Sequence, residues 1–195
     1  MIENPYEMAQ TVILALDPAK HQSGASILRP ETGSPRPRLV TSAVVTDQAA
    51  RETFVASAKE MAIALHLPLI IVAEEWDPPR GSGATRVDKR WNYKTILGMG
   101  EGWGKWTAEF ERHALHELDI VRTTPNTWRD AIFGKKREKE GDKLKKIAVI
   151  YAQQRLKVEL SHDAAESCCI GLWGFHSIDV HKRVAIWAKK HRKIP

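Results

Sequence analysis

The sequence contains only two cysteines, Cys168 and Cys169, and they are adjacent. Neighbouring residues on a helix point in directions that do not suit disulfide geometry, so a disulfide framework is excluded. Such cysteines are typical of small buried side chains in a protein of a reducing compartment. We therefore expect a cytoplasmic protein of a prokaryotic or phage-infected cell, with the nucleus or another organelle as the alternative.

Long hydrophobic runs are also missing. No apolar run reaches the 18 or so residues of a membrane-spanning helix, and the N-terminus lacks a basic and then apolar signal pattern, so no membrane partner is expected. The 195 residues are 43% hydrophobic and 28% charged, as in globular proteins. This length predicts one domain over residues 1–195, with a loose lead-in at 1–10 and a basic C-terminal helix or tail at 176–195.

Positive charge is in excess, with a net charge of +6. A basic balance of this size favours a polyanionic partner such as nucleic acid. Two passages concentrate the basic residues, a glycine-containing loop over 80–94 and the run GKKREKEGDKLKK at 134–146. Each is either a solvated loop or a surface that binds phosphates. The candidate DNA-binding residues in them are Arg80, Arg86, Lys89, Arg90, Lys135, Lys136, Arg137 and Lys146.

Two apolar runs of strand length end in acidic residues. TVILAL at 11–16 predicts a central strand that stops at Asp17, because Pro18 cannot continue the ladder. Further strands at 21–28 and 39–45 follow through turns, which predicts an antiparallel meander. A helix over 49–65 then leads to LIIVA at 69–73, which is followed by Glu74 and Glu75. Functional groups collect at such strand ends in open sheets.

A third acidic position lies in SHDAAESCCIGLWG at 161–174, which predicts an apolar helix. Asp163 and Glu166 are three residues apart and share one face, with Cβ atoms about 5–6 Å apart. This crowding is unfavourable unless a positive charge lies between the two acids. The alternative is that both acids favour the helix dipole in a first turn that Ser161 caps.

These acids predict a metal site. If Asp17, Glu74, Asp163 and Glu166 converge, their repulsion requires cations, and hard carboxylate oxygens suit Mg²⁺ or Mn²⁺. Two such ions about 3.5–4 Å apart can hold a phosphodiester for hydrolysis. The residues thus favour a metal-dependent nuclease.

A helix predicted over 96–118 contains Gly98, Gly100, Gly102 and Gly104. Glycine inside a helix costs up to about 1 kcal/mol relative to alanine, so this spacing indicates close approach of another backbone, such as a partner subunit's helix. A phosphate-binding loop is the alternative for GMGEGWG, but no strand directly precedes it.

Four segments resemble, in order, the RuvC family of Holliday junction resolvases, particularly its phage and organellar members. They are ALDPAKHQSGASI, IIVAEEW, PNTWRDAIFGKKREKEGDKLKKIA and HDAAESCCIGLWG, and the match runs from about residue 11 to residue 174. The resemblance implies an RNase H-like α/β domain with a five-stranded mixed sheet flanked by helices, in which the first three strands form an antiparallel meander. It also implies a homodimer, formed through the helix around 98–118, that cuts four-way DNA junctions by paired phosphodiester hydrolysis.

By the same resemblance, Asp17, Glu74, Asp163 and Glu166 are the catalytic acids that bind two Mg²⁺ or Mn²⁺ ions. Lys143 matches a basic residue near the DNA, and Trp76, the aromatic residue that follows the second acid, is a further candidate DNA-binding residue. The chain departs from the family in having Glu166 where many members have Asp, and in a longer, more basic loop at 78–94.

Some alternatives stay open. Successive strand residues face opposite sides, so only one of Glu74 and Glu75 can face the site, and the motif register favours Glu74. His162 is either a surface residue or a proton carrier or metal ligand. The competing functions are a less selective RNase H-like nuclease on other branched DNA or RNA–DNA hybrids, a non-catalytic DNA-binding module, and an actin-like kinase, which would need a second lobe.

Overall fold

The computed structural model describes residues 8–19, 21–75, 93–134 and 141–191. Its strands are β1 (Val12–Asp17), β2 (Ser23–Arg29), β3 (Arg38–Val45), β4 (Leu69–Glu74) and β5 (Ile120–Thr123). Its helices are α1 (Gln48–Leu65), α2 (Tyr93–Arg112), α3 (Pro125–Phe133), α4 (Gly141–Leu156), α5 (His162–Gly174) and α6 (Ile178–His191), with a short 3₁₀ helix at Glu117–Asp119. Within these ranges, every helix is too short or too polar to cross a membrane.

The five strands form one sheet in the order β3-β2-β1-β4-β5. β1 pairs antiparallel with β2, and β2 with β3, whereas β1 pairs parallel with β4, and β4 with β5. This confirms the predicted mixed sheet and its antiparallel meander. Because Leu16 lies opposite Ala73 in the parallel pair, the following residues, Asp17 and Glu74, end adjacent strands at the same edge of the sheet.

Helices cover both faces of the sheet. Ile13 and Ala15 of β1 pack in one core with α3, α4 and α5, and Val12, Leu14 and Leu16 pack in a second core with α1 and α2. Since successive strand residues alternate between faces, Asp17 continues the row that faces α5. The same alternation along β4 directs Glu74 to the α5 face and Glu75 to the α2 face.

The helix predicted over 96–118 ends at Arg112. Ala114 adopts a left-handed conformation with φ of 53°, and Leu115 N–H donates to the Phe110 carbonyl at 2.9 Å. These are features of a helix C-cap in which glycine is usual. Because no glycine marks this end in the sequence, the prediction relied on the apolar periodicity alone and placed the end of the helix too far along the chain.

The glycines of α2 have different surroundings. A Cβ on Gly102 would lie 2.6 Å from the backbone carbonyl of Ala19, so the backbone that approaches Gly102 belongs to the loop after β1 of the same chain. A Cβ on Gly100 or Gly104 would meet nothing within 4 Å among the described residues. The close approach that the sequence predicts is therefore intramolecular at Gly102, and it holds α2 against the loop that follows Asp17.

Candidate active site

The ends of β1 and β4 supply the first two carboxylates of the site. Asp17 and Glu74 are both partly buried, and each follows an apolar run that is fixed in the middle of the sheet. The parallel pairing of the two strands brings their side chains to the same edge and the same face. This arrangement follows directly from two apolar strands that stop at adjacent points.

Helix α5 supplies the other two carboxylates and packs across β1 and β2. Its first turn lies so close to β2 that a Cβ on Gly24 would be 2.1 Å from the Asp163 carbonyl oxygen. One turn later, the hydroxyls of Ser26 and Ser167 form a hydrogen bond of 2.5 Å. Because Gly24 is the strand partner of Asp17, this contact sets the distance of Asp163 from Asp17.

The two acids of α5 differ in exposure. Glu166 is 4% exposed and faces the sheet, whereas Asp163 is only partly buried. Although they are three residues apart on one helix, the two acids therefore have different environments. Ser161 occupies the N-cap position without a capping side-chain hydrogen bond. Because Glu166 is buried against the sheet, its position is set by the packing of α5.

The pKa values of Asp17 and Glu74 reflect the acids that lie near them. Burial, followed by the negative charges of Glu74 and Glu166 and, more weakly, Asp163, raises the pKa of Asp17 well above its usual value. Burial is also the main cause that raises the pKa of Glu74, and the charge of Glu166 adds to it. The structure therefore brings together all four acids that the sequence singles out, into one cluster of negative charge.

Two residues of α3 contact this cluster, and the sequence analysis missed both. The indole Nε1–H of Trp128 donates to Glu74 Oε2 at 2.6 Å, and Arg129 Nη2 lies 2.7 Å from Glu166 Oε1. The guanidinium of Arg129 stacks over the Trp128 ring, 4.9 Å from its centroid. Both side chains lower the pKa of Glu74, in opposition to its burial, and Arg129 also lowers the pKa of Asp17.

Glu75 lies on the opposite face of the sheet from this cluster. Its Oε1 lies 2.6 Å from Arg122 Nη1, and Arg122 also lies 3.0 Å from Glu117 Oε1. The Arg122 guanidinium stacks over Trp103 of α2 at 5.0 Å. Of the two consecutive glutamates, Glu74 is thus the one that faces the other carboxylates, although its role as a metal ligand stays a prediction.

The donor set suits a hard divalent cation in kind. All four side chains offer carboxylate oxygens, and their mutual repulsion is relieved by a bound cation. As the side chains stand, however, no three His, Cys, Asp or Glu residues of the described ranges are grouped so as to hold a metal ion. Arg129 engages one of the two oxygens of Glu166, Oε1, and Trp128 engages one of the two oxygens of Glu74, Oε2.

The candidate DNA-binding residues fall into two groups. Lys143 and Lys146 are exposed on α4, and between them Lys145, which the sequence analysis did not single out, lies 3.9 Å from Asp163 Oδ1. His162 is exposed at the start of α5. The remaining candidates lie outside the described residues: Trp76, Arg80, Arg86, Lys89, Arg90, Lys135, Lys136 and Arg137.

A cavity of about 280 Å³ lies at the other end of α5 from the carboxylates. Residues 35–37 and the side chains of Tyr151, Arg155, Trp173 and His176 are among those that line it. Since α5 begins at His162 and ends at Gly174, the cavity and the cluster are separated by most of the length of the helix. The cavity is therefore not part of the candidate active site.

No family model matches the chain, and neither does any curated protein. Among solved structures, RuvC of Thermus thermophilus is 14% identical, with a TM-score of 0.56 over 85% of this chain and 94% of that chain. T. thermophilus RuvC in complex with a Holliday junction substrate is 13% identical, with a TM-score of 0.58 over 90% of this chain and 96% of that chain. The chain therefore has the RNase H-like fold of RuvC, which confirms at the level of the fold the resemblance seen in the sequence.

Proposed function

We propose that this chain is a divalent-metal-dependent endonuclease that resolves four-way DNA junctions by paired phosphodiester hydrolysis. The observation that carries the proposal is the convergence of Asp17, Glu74, Asp163 and Glu166 from β1, β4 and α5 at one edge of the sheet. It is supported by the fold shared with T. thermophilus RuvC, which has been solved in complex with a Holliday junction substrate. The same cluster would have no evident structural purpose in a basic protein without cations.

In this proposal the four carboxylates would hold two Mg²⁺ or Mn²⁺ ions, which when bound supply an activated water and neutralise charge on the leaving oxygen. The chain itself supplies rigidity. Asp17 and Glu74 extend from buried strands, and the Trp128 hydrogen bond orients Glu74. The close packing of α5 on Gly24 holds Asp163 at a set distance from Asp17.

The proposed DNA-binding surface lies beside Asp163 on α4, where Lys143 and Lys146 are exposed. Phosphates of the DNA backbone would be held there, so that the scissile phosphodiester meets the carboxylates at the edge of this basic surface. The candidate residues of the two loops outside the described ranges would extend it. Because paired cuts require two sites, we propose a homodimer that forms through the helix around residues 98–118.

The function is tested with a panel of four-way, forked, nicked and linear DNA and an RNA–DNA hybrid, each with and without Mg²⁺. We expect four-way junctions to be cut by paired nicks at least about 100-fold faster than linear duplex, a preference of about 2.7 kcal/mol in the transition state. Removal of the metal with a chelator should abolish cutting. Equal cutting of every substrate would contradict junction selectivity and favour a less selective nuclease. Junction binding without cutting in Mg²⁺ or in Mn²⁺ would indicate a non-catalytic module.

The role of α4 is tested by the double substitution Lys143→Ala and Lys146→Ala. Each lost phosphate contact lowers the slope of log affinity against log salt by roughly 1, so we expect a slope about 2 smaller and weaker junction binding at low salt. The measurement is fluorescence anisotropy over a salt series. The matched control is Lys189→Ala with Lys190→Ala, two exposed residues in the last turn of α6. An unchanged slope in the α4 variant, or an equal change in the control, would contradict the assignment.

A further inference from the structure

Arg129 places a positive charge within the carboxylate cluster. Its Nη2 lies 2.7 Å from Glu166 Oε1, and the two side chains are only 22% and 6% exposed. Its charge also acts on Asp17 and Glu74, since it lowers the pKa of both. The guanidinium therefore neutralises part of the negative charge of Asp17, Glu74 and Glu166, which lie close together in a partly buried site.

The contacts of Arg129 leave it displaceable. Among the described residues, the guanidinium is held by one ion pair and by stacking on Trp128, whose own indole N–H is used by Glu74. Arg129 Nε is buried, yet it has no hydrogen-bond partner among the described residues. A structural arginine at this depth would have its donors satisfied, because an unpaired buried donor is costly. The position is therefore suited to a group that can leave its partner.

We infer that Arg129 is a stand-in cation, which neutralises the carboxylate cluster while no metal is bound and must release Glu166 before divalent ions can use that carboxylate. The inference rests on the proposed function and adds to it a positioning residue that works against metal binding. Two observations agree with it. The described residues contain no ready group of three ligands, and Glu166, the least exposed of the acids, is the one that the guanidinium engages.

This role predicts how the removal of Arg129 changes the affinity for metal. A metal ion that uses the carboxylate of Glu166 binds only the state in which the Arg129–Glu166 pair is open. The free energy needed to open the pair is therefore subtracted from the free energy of metal binding. Removal of the guanidinium should thus strengthen metal binding. A purely structural Arg129, which only anchors α3 and orders Glu166, would have the opposite effect when removed.

The test compares Arg129→Met, which keeps an apolar stem on Trp128, with the wild type, in the absence of DNA. Binding of Mn²⁺ is measured from the electron paramagnetic resonance signal of the free ion. We expect the substitution to lower the Kd for Mn²⁺ by at least about tenfold, the scale for removing a full like charge beside a bound ion in a partly buried site. The rise in Tm caused by Mn²⁺ should be correspondingly larger in the variant than in the wild type.

The matched control is Arg112→Met. Arg112 also pairs with a buried glutamate, Glu109, at 2.5 Å, but it lies on α2, on the other face of the sheet. The control removes the same net charge, so its Kd for Mn²⁺ should stay within about twofold of the wild-type value. An equal tightening in both variants would show a general charge effect and overturn the role of Arg129.

A measurement on the wild type decides the question if Arg129→Met does not fold. Mg²⁺ is titrated into ¹⁵N-labelled protein, and the Arg129 Nε–H resonance is followed; we expect it to shift together with metal binding as the ion pair opens. A resonance that does not move while Mg²⁺ binds overturns the inference, as does an unchanged or higher Kd for Mn²⁺ in a folded Arg129→Met. In both cases the proposed nuclease stands. If neither wild type nor variant binds Mn²⁺ at millimolar concentrations, the proposed metal-dependent function fails and this inference fails with it.

Discussion

Asp17→Asn should abolish junction cleavage in Mg²⁺, with a loss of at least about 1,000-fold in single-turnover rate, or about 4 kcal/mol of transition-state stabilisation. An amide keeps an oxygen but removes the negative charge that balances a divalent cation, so the metal is held more weakly. Junction binding should stay within about twofold, because phosphate contacts by basic residues supply most of the affinity. The measurements are a cleavage time course on a labelled four-way junction and a binding titration in a chelator.

The same variant should be more stable than the wild type when metal is absent. The pKa of Asp17 is raised in the fold, mainly by burial and then by its acidic neighbours. An acid with a raised pKa contributes stability below its unfolded pKa of about 3.9, and this contribution is lost as pH rises through the folded pKa. Asp17→Asn should therefore raise Tm at pH 7 to 8 in a chelator, and the difference should disappear in acid.

Asp179→Asn is the control for both measurements, since Asp179 lies exposed on α6 and pairs with Lys182. It should cut junctions at the wild-type rate. An Asp17→Asn protein that still cuts would show that the carboxylates do not hold the catalytic metal. An Asp17→Asn protein that loses stability at neutral pH would contradict the electrostatic cluster itself.

Gly24→Ala should impair both stability and cleavage, although Gly24 carries no functional group. Its new Cβ would lie 2.1 Å from the Asp163 carbonyl oxygen and 2.9 Å from the carbonyl carbon, so the backbone of α5 has to move. Overpacking of this kind costs about 1–3 kcal/mol. A displacement of Asp163 by about 1 Å can cost about 100-fold in rate. Urea unfolding and single-turnover cleavage, at a temperature where the variant is folded, measure the two effects.

The control for Gly24→Ala is Gly171→Ala. Gly171 lies on α5, about two turns after Asp163. A Cβ there would lie 2.5 Å from Leu28 Cδ1 and 3.0 Å from Ala15 Cβ, so packing suffers away from the carboxylates. We expect a comparable loss of stability with cleavage within about fivefold of the wild-type rate, because the first turn of α5 keeps its position. Equal loss of activity in both variants would show that general loosening of α5, and not the position of Asp163, limits the reaction.

The strands and the four acids could be predicted from the sequence because local features mark them. Apolar runs such as TVILAL are long enough for a buried strand, and Pro18 marks the end of one of them. Local features do not show which face of the sheet each side chain points to. Both faces of β1 and β4 are buried, so the alternation that separates the α5 side from the α2 side is invisible in an apolar run.

Trp128, Arg129 and Lys145 escaped the sequence analysis for another reason. Each reaches the carboxylates through tertiary packing: Trp128 contacts Glu74 at the end of β4, whereas Arg129 and Lys145 contact the two acids of α5. One signal was present. Thr124 caps α3 directly after β5, which lies next to β4, so the first turns of α3 had to begin near the end of β4. The depth of Arg129 beside Glu166 depends on how α3 packs against α5, which no spacing in the sequence encodes.

Two consecutive glutamates at the end of β4 create a register ambiguity, because a slip of one residue would exchange their faces. The fold removes it by giving each glutamate its own partner on its own side of the sheet: Trp128 for Glu74, and Arg122 for Glu75. A slip of one residue would place a residue other than a glutamate opposite either Trp128 or Arg122, so one of these two contacts would be lost. Arg122, although on the other face of the sheet, thus favours the register in which Glu74 faces the other carboxylates.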